Sequence, residues 1–230
     1  MSTERNNPSQ RPSAVLWDMD GTIVDTEPYW IVSEIELVES FGGVWTHADG
    51  LSLVGNGLPF TSAKLRDRGV DLPLKEITER LTTRVLEQLE VAIPWRPGAP
   101  ELLTEIAAAG IPQALVTMSI ERMAARVADL IPGRPLSKIV AGDHVTDAKP
   151  HPEAYLLGAA RLGVDITTCV AIEDSPAGLA SARAAGTVAV GVRHIVELTP
   201  EMGFRILPSL AGVTANDIFQ LYTDAQEARA

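Results

Sequence analysis

The chain has 230 residues, 46% hydrophobic and 21% charged, as in ordinary globular proteins and unlike disordered or fibrous chains. Its formal net charge of -11 leaves no excess of Lys and Arg for binding nucleic acid or an anionic membrane. No apolar stretch has the length of a membrane span, and the polar first residues do not form a signal peptide. We therefore expect a cytoplasmic protein, a monomer or weak dimer, with no nucleic-acid or membrane partner.

Short, continuously apolar segments predict strands that are covered on both faces, as in a parallel sheet. In chain order these segments are residues 14–18, 113–117, 138–142, 169–174 and 187–192. Helical segments between them begin with proline and end at glycine: Pro100 to Gly110, Pro152 to Gly163, and Pro176 to Gly186. This alternation predicts an α/β fold with a Rossmann-like, doubly wound parallel sheet. The single cysteine, Cys169, falls in a strand, and we expect it to be buried.

A long helical stretch interrupts the alternation after the first strand. Four apolar residues at a spacing of four predict an amphipathic helix there: Ile77, Leu81, Val85 and Leu89. An insert of this size is too long for a simple crossover connection. We therefore predict a disordered tail at residues 1–12, a catalytic core at 13–27 and 95–230, and a small α-helical cap domain at 28–94. A final helix is expected from about Ala215.

Acidic side chains follow two of the predicted strands at their carboxyl ends, where doubly wound sheets bind ligands. Asp18 and Asp20 follow the first strand, and Glu173 and Asp174 end the fourth. Crowded carboxylates are costly without a positive partner, and hard divalent cations prefer oxygen ligands. We therefore predict Mg2+ at this edge of the sheet. Asp18 could then attack phosphorus, and Asp20 could exchange protons with the leaving group and with water.

Two further residues could neutralise a transferring phosphoryl group. Lys149 supplies a positive charge just before a helix, and Thr117, the last residue of the second predicted strand, supplies a hydroxyl. Each residue alone also has a structural explanation, since threonine is common in turns and most lysines are solvated. Ser175 is better explained as the N-cap of the helix that Pro176 begins. The order of these groups along successive strand ends favours a catalytic site.

Four segments resemble, in order, the motifs of the haloacid dehalogenase superfamily of phosphohydrolases: DMDGTIVDTE, the strand ending LVTMS, DAKPHPEAY and VAIEDSPAG. The resemblance covers nearly the whole chain, includes the helical cap, and is greatest to the phosphatase and beta-phosphoglucomutase-like subfamily. It implies that Asp18 is the nucleophile and Asp20 the acid/base. It also implies that Asp18, the Asp20 carbonyl and Asp174 contact Mg2+, with Glu173 as a supporting acid of the metal site.

The same resemblance implies which residues bind the substrate. Thr117, Lys149 and the backbone through Met19 and Asp20 would contact the phosphate. Met118 follows Thr117 and is also expected to contact the substrate, but it departs from the pattern, because many relatives carry Asn there. Ser119 is a possible replacement for the hydrogen bond of that Asn.

In the cap, Gly55 and Asn56 belong to a glycine-rich segment that resembles the loop that relatives lower over the substrate. A plain turn between two helices explains this segment equally well.

These features predict a Mg2+-dependent phosphatase that hydrolyses small phosphomonoesters, such as sugar or polyol phosphates, through an aspartyl-phosphate intermediate. A cap that closes over the site excludes large substrates, so we expect a small phosphorylated metabolite as the partner. A beta-phosphoglucomutase-like sugar-phosphate mutase is the main alternative. Such relatives use a cap histidine shortly after the first motif, whereas His47, in a predicted surface loop, is the only cap histidine here. A catalytically silent module that binds a phospho-ligand is a further alternative.

Overall fold

The computed structural model describes residues 11–54, 56–199 and 202–229. Most of the predicted tail and the predicted substrate contact Gly55 lie outside the described residues. The chain divides into two compact units, which are the segment Val24–Trp95 and the remainder of the chain on either side of it. Among the described residues, none of the helices combines the length and the apolar character that a membrane crossing requires.

The unit Val24–Trp95 is helical. Its helices are α1 (Glu27–Ser40), α2 (His47–Leu51), α3 (Leu58–Asp67) and α4 (Leu74–Val91). Helices α1 and α3 pack against α4, whose four predicted apolar residues are all buried. His47 begins α2, so its placement in a loop was wrong. The reason is a capping box, in which Thr46 accepts from the Asp49 amide and the Asp49 carboxylate accepts from the Thr46 amide.

The second unit contains a parallel sheet of six strands. They are β1 (Ala14–Trp17), β2 (Gln113–Val116), β3 (Lys138–Val140), β4 (Cys169–Glu173), β5 (Val188–Val192) and β6 (Arg205–Leu207). The strand order is β3-β2-β1-β4-β5-β6, which confirms the predicted doubly wound α/β fold. Strand addition reverses between β1 and β4, so this pair marks the switch point where ligands bind in such sheets. β6 was not predicted, because three partly exposed residues form no distinctive apolar run.

Among the described residues, this unit also contains five α-helices: α5 (Ala99–Ala108), α6 (Glu121–Leu130), α7 (Glu153–Leu162), α8 (Pro176–Ala185) and α9 (Ala215–Glu227). Ser175 caps α8 by accepting from the Gly178 amide at 3.0 Å, as predicted. Pro152 is the N-cap of α7 rather than its first residue. Cys169 is buried, and burial raises the pKa of its thiol to about 12, which is consistent with a packing role.

Candidate active site

The carboxyl ends of β1, β2 and β4 lie side by side and present polar residues. The amide of Asp18, directly after β1, donates to Ile172 O at 3.0 Å, and the amide of Thr117, directly after β2, donates to Val140 O at 2.9 Å. These bonds continue the ladder one residue beyond each strand. Backbone pairing therefore fixes where the side chains of Asp18 and Thr117 begin.

Lys149 is the positive partner of the carboxylates. Its Nζ lies 2.7 Å from Asp18 Oδ1, 2.6 Å from Glu173 Oε1 and 2.8 Å from Val116 O. Its side chain is only 5% exposed, and Nζ lies 5.0 Å from the centre of the Tyr155 ring. Burial lowers the pKa of Lys149, but the two adjacent carboxylates outweigh burial and leave that pKa above its ordinary value. Lys149 therefore stays charged, and each of its ammonium protons has an acceptor.

Glu173 accepts hydrogen bonds at both of its carboxylate oxygens. Oε1 accepts from Lys149 Nζ and, at 3.1 Å, from Tyr155 OH. Oε2 accepts from the amides of Asp174 and Ser175, both at 3.1 Å, and from Ser175 Oγ at 3.0 Å. These contacts join the start of α8 to Lys149. Because so many donors already occupy it, Glu173 is suited to orienting its neighbours.

Three acidic side chains converge at this edge of the sheet. Asp18, Glu173 and Asp174 each offer an oxygen within 4.8 Å of the others. Burial, followed by the negative charge of Glu173, raises the pKa of Asp18 well above its usual range and that of Asp174 to about 8. One lysine does not offset three buried carboxylates, and an all-oxygen donor set suits a hard divalent cation. The residues present therefore fit Mg2+.

The backbone of the loop after β1 lies close to this acidic cluster. Gly21 has φ +89, a conformation that glycine adopts without strain. A Cβ on Gly21 would lie 2.1 Å from Asp174 Oδ2, so a side chain there would displace that carboxylate. Thr22 Oγ1 donates to the other oxygen of Asp174 at 3.4 Å. The Gly-Thr pair of the first motif thus positions Asp174.

The carboxylate of Asp20 points to the end of β2. Ser119 Oγ donates to Asp20 Oδ2 at 2.7 Å, and Thr117 Oγ1 donates to the same oxygen at 3.4 Å. The Ser119 amide donates to Thr117 Oγ1 at 3.0 Å. From the sequence, Ser119 was expected only as a possible replacement for the hydrogen bond lost at Met118. Its contact with Asp20 was not predicted, because no local pattern pairs it with a residue 99 positions away.

Two predicted substrate contacts are methionines whose side chains pack within the protein. The side chain of Met19 is fully buried. The side chain of Met118 packs against the hydrophobic core beneath the sheet end, and its Sδ accepts from the Lys149 amide at 3.4 Å. Met118 therefore lacks the side-chain hydrogen bond that an Asn would offer.

The structure brings six of the predicted site residues together in one unit: Asp18, Asp20, Thr117, Lys149, Glu173 and Asp174. Asn56 belongs to the helical unit, where its Nδ2 donates to Leu53 O at 3.0 Å in a turn. Its assignment to substrate binding stays a prediction.

Known proteins are similar to this chain in both sequence and fold. The model of the haloacid dehalogenase-like hydrolase family matches residues 12–186, which include the whole acidic cluster. Hexitol phosphatase B of Escherichia coli (strain K12) is 30% identical over 224 residues, or 89% of this chain and 96% of that protein. Fructose-1-phosphate phosphatase YqaB of the same strain is 32% identical over 197 residues, or 80% of this chain and 98% of that protein. The solved structure of CbbY from Rhodobacter sphaeroides in complex with phosphate has a TM-score of 0.80 at 26% identity, covering 88% of this chain and 96% of that one. The chain therefore belongs to the haloacid dehalogenase-like hydrolases.

Proposed function

We propose that this protein is a Mg2+-dependent phosphatase that hydrolyses small phosphomonoesters, in particular sugar or polyol phosphates, through an aspartyl-phosphate intermediate. The observation that carries the proposal is the position of Lys149 Nζ, 2.7 Å from Asp18 Oδ1 and 2.6 Å from Glu173 Oε1. This contact keeps one oxygen of a buried aspartate anchored while the other is available for attack. The substrate class is supported by relatives that are named for hexitol and fructose 1-phosphate hydrolysis.

In the first step, Asp18 attacks the phosphorus of the ester through the oxygen that Lys149 does not hold. The bond from phosphorus to the leaving oxygen breaks, and that oxygen takes a proton from Asp20. The hydroxyl of Thr117 donates a hydrogen bond to a phosphoryl oxygen. Lys149 offsets negative charge at Asp18 and keeps its hydrogen bonds to its other acceptors. The products are the free alcohol and a phosphorylated Asp18.

In the second step, water attacks phosphorus and releases inorganic phosphate. Asp20, which lost its proton in the first step, takes one from the attacking water. Asp18 leaves as a carboxylate, and Lys149 again receives it as an ion-pair partner. Each side chain thus returns to its starting protonation state, so the cycle consumes only ester and water.

Mg2+ would be held by Asp18 and Asp174 with the backbone carbonyl of Asp20. When bound, it would neutralise negative charge shared by the phosphoryl group and these carboxylates. Glu173 supports the site by orienting Lys149 and the Asp174 backbone, since its own oxygens already accept from several donors. The raised pKa of Asp174 is consistent with a carboxylate that needs a cation to remain ionised.

We assign selection of the substrate to the helical unit, acting as the cap domain predicted at residues 28–94. The residues gathered at the sheet edge all handle the phosphoryl group or the metal, and none of them distinguishes one alcohol from another. A residue that recognises the alcohol must therefore lie elsewhere, and Gly55 and Asn56 are our candidates.

The decisive experiment measures inorganic phosphate released from a panel of sugar, polyol and nucleotide phosphates, with Mg2+ and with a chelator. Wild type should release phosphate only with Mg2+, and Asp18→Asn should abolish release. Asp129→Asn, at an exposed aspartate of the same unit, is the matched control and should keep full activity. Conversion of a sugar phosphate into an isomer without release would instead establish a mutase. Inertness of wild type toward the whole panel would contradict the proposal and favour a binding module.

A further inference from the structure

We infer that Ser119 is a positioning residue for proton transfer, which holds the carboxylate of Asp20 at the end of β2. The inference rests on the proposed function, in which Asp20 is the acid/base. It assigns a role to a residue that has no part in binding the metal or in attacking phosphorus.

The contact between Ser119 and Asp20 is short and sheltered. The separation of 2.7 Å from Ser119 Oγ to Asp20 Oδ2 falls in the range of hydrogen bonds from a hydroxyl to an ionised carboxylate. Ser119 is 7% exposed, and Asp20 is half-buried. Thr117 Oγ1 lies at 3.4 Å from the same oxygen, so its bond is the weaker of the two. Ser119 therefore restrains this carboxylate at the end of β2.

The backbone around Ser119 fixes the direction of its hydroxyl. The Ser119 amide donates to Thr117 Oγ1 at 3.0 Å, and Ser119 O accepts from the Gly142 amide at 2.8 Å. The side chain of Met118 is half-buried and packs against the hydrophobic core. The two backbone hydrogen bonds hold Ser119 where its hydroxyl reaches Asp20.

The hydroxyl of Ser119 can keep its contact with Asp20 during the reaction, whereas the hydroxyl of Thr117 is the proposed donor to the phosphoryl group. Without Ser119, the carboxylate of Asp20 gains rotational freedom and faces the ester less often.

The dependence on the leaving group tests this role. Phenyl phosphate and 4-nitrophenyl phosphate have similar shapes, but phenolate is the more basic leaving group and needs the proton more. We expect Ser119→Ala to lower kcat/KM about tenfold or more for phenyl phosphate, and by less than about threefold for 4-nitrophenyl phosphate. Asp20→Asn should show the same selectivity with a larger loss. Adding Ser119→Ala to Asp20→Asn should have no further effect, because the serine acts through the aspartate.

Thr187→Val is the matched control, because it removes a buried hydroxyl that donates to Ala182 O at 2.9 Å next to the amino end of β5, opposite the carboxyl ends that form the site. It should leave the ratio of the two kcat/KM values unchanged. If wild type releases phosphate but Ser119→Ala slows both esters equally, or slows Asp20→Asn further, Ser119 does not position Asp20. If wild type releases no phosphate from any ester, it is the proposed function that fails.

Discussion

Replacing Lys149 by Met should both destabilise the unit that contains the sheet and abolish phosphate release. Methionine has a similar length but no charge, so Asp18 and Glu173 would lose the group that now lies 2.7 and 2.6 Å from their oxygens. These carboxylate side chains are only 11% and 1% exposed, so water does not replace the ammonium. Removing one partner of a buried ion pair costs about 3–5 kcal/mol. For a chain of this size, the melting temperature should fall by roughly 6–20 °C.

The assay is equilibrium unfolding in urea followed by far-ultraviolet circular dichroism, with phosphate release measured on the same preparations. Lys138→Met is the matched control, since Lys138 is exposed at the start of β3, and it should match wild type in both measurements. A free energy of unfolding for Lys149→Met within about 1 kcal/mol of wild type would refute the reasoning, because it would show that the two carboxylates do not depend on this lysine.

Three further substitutions test other contacts. Burial raises the pKa of Glu34, which accepts from Trp45 Nε1 at 3.1 Å, from 4.5 to about 7. An acid whose pKa is raised by folding lowers the stability of the protein as pH rises from its pKa in the unfolded chain through its pKa in the folded protein. Glu34→Gln should therefore stabilise the protein by about 3 kcal/mol at about pH 8 and by little at about pH 4, measured in urea titrations followed by tryptophan fluorescence. Equal effects at both pH values would contradict this. Gly178→Ala would place a Cβ 1.7 Å from Glu173 Oε1, so it should destabilise the protein by roughly 2 kcal/mol or more and lower kcat. A melting temperature equal to that of wild type would contradict the close approach of Gly178 to Glu173. Tyr155→Phe removes only the hydroxyl that donates to Glu173 at 3.1 Å, and we expect a loss of about 1 kcal/mol in calorimetry with phosphate release retained, whereas complete inactivation would give Tyr155 a chemical role.

The fold was predictable from sequence wherever local physics is decisive. Strands β1, β2, β4 and β5 are buried along nearly their whole length, so they are largely apolar and stand out from the helices. Gly163 and Gly186 end their helices in the left-handed conformation, which marks those ends in the sequence. Helix α6 was not predicted, because it begins after Ile120 and ends before Ile131, and neither isoleucine marks a helix end in the sequence. The side chain that accepts from its first amide belongs to the distant Asp143. Strand β6 was also not predicted, because it is short and partly exposed at the edge of the sheet.

The sequence by itself determined the residue types at the strand ends, and therefore the acidic cluster and the family. Only the tertiary structure decided which groups meet: Lys149 with Asp18 across 131 residues, and Ser119 with Asp20 across 99. It also decided that Met118 packs against the core and that Glu173 accepts hydrogen bonds from Lys149, Tyr155 and Ser175. The physical reason is that apolar periodicity and end signals act over a few residues, whereas the partner of a buried polar group depends on the register of strands brought together from distant parts of the chain.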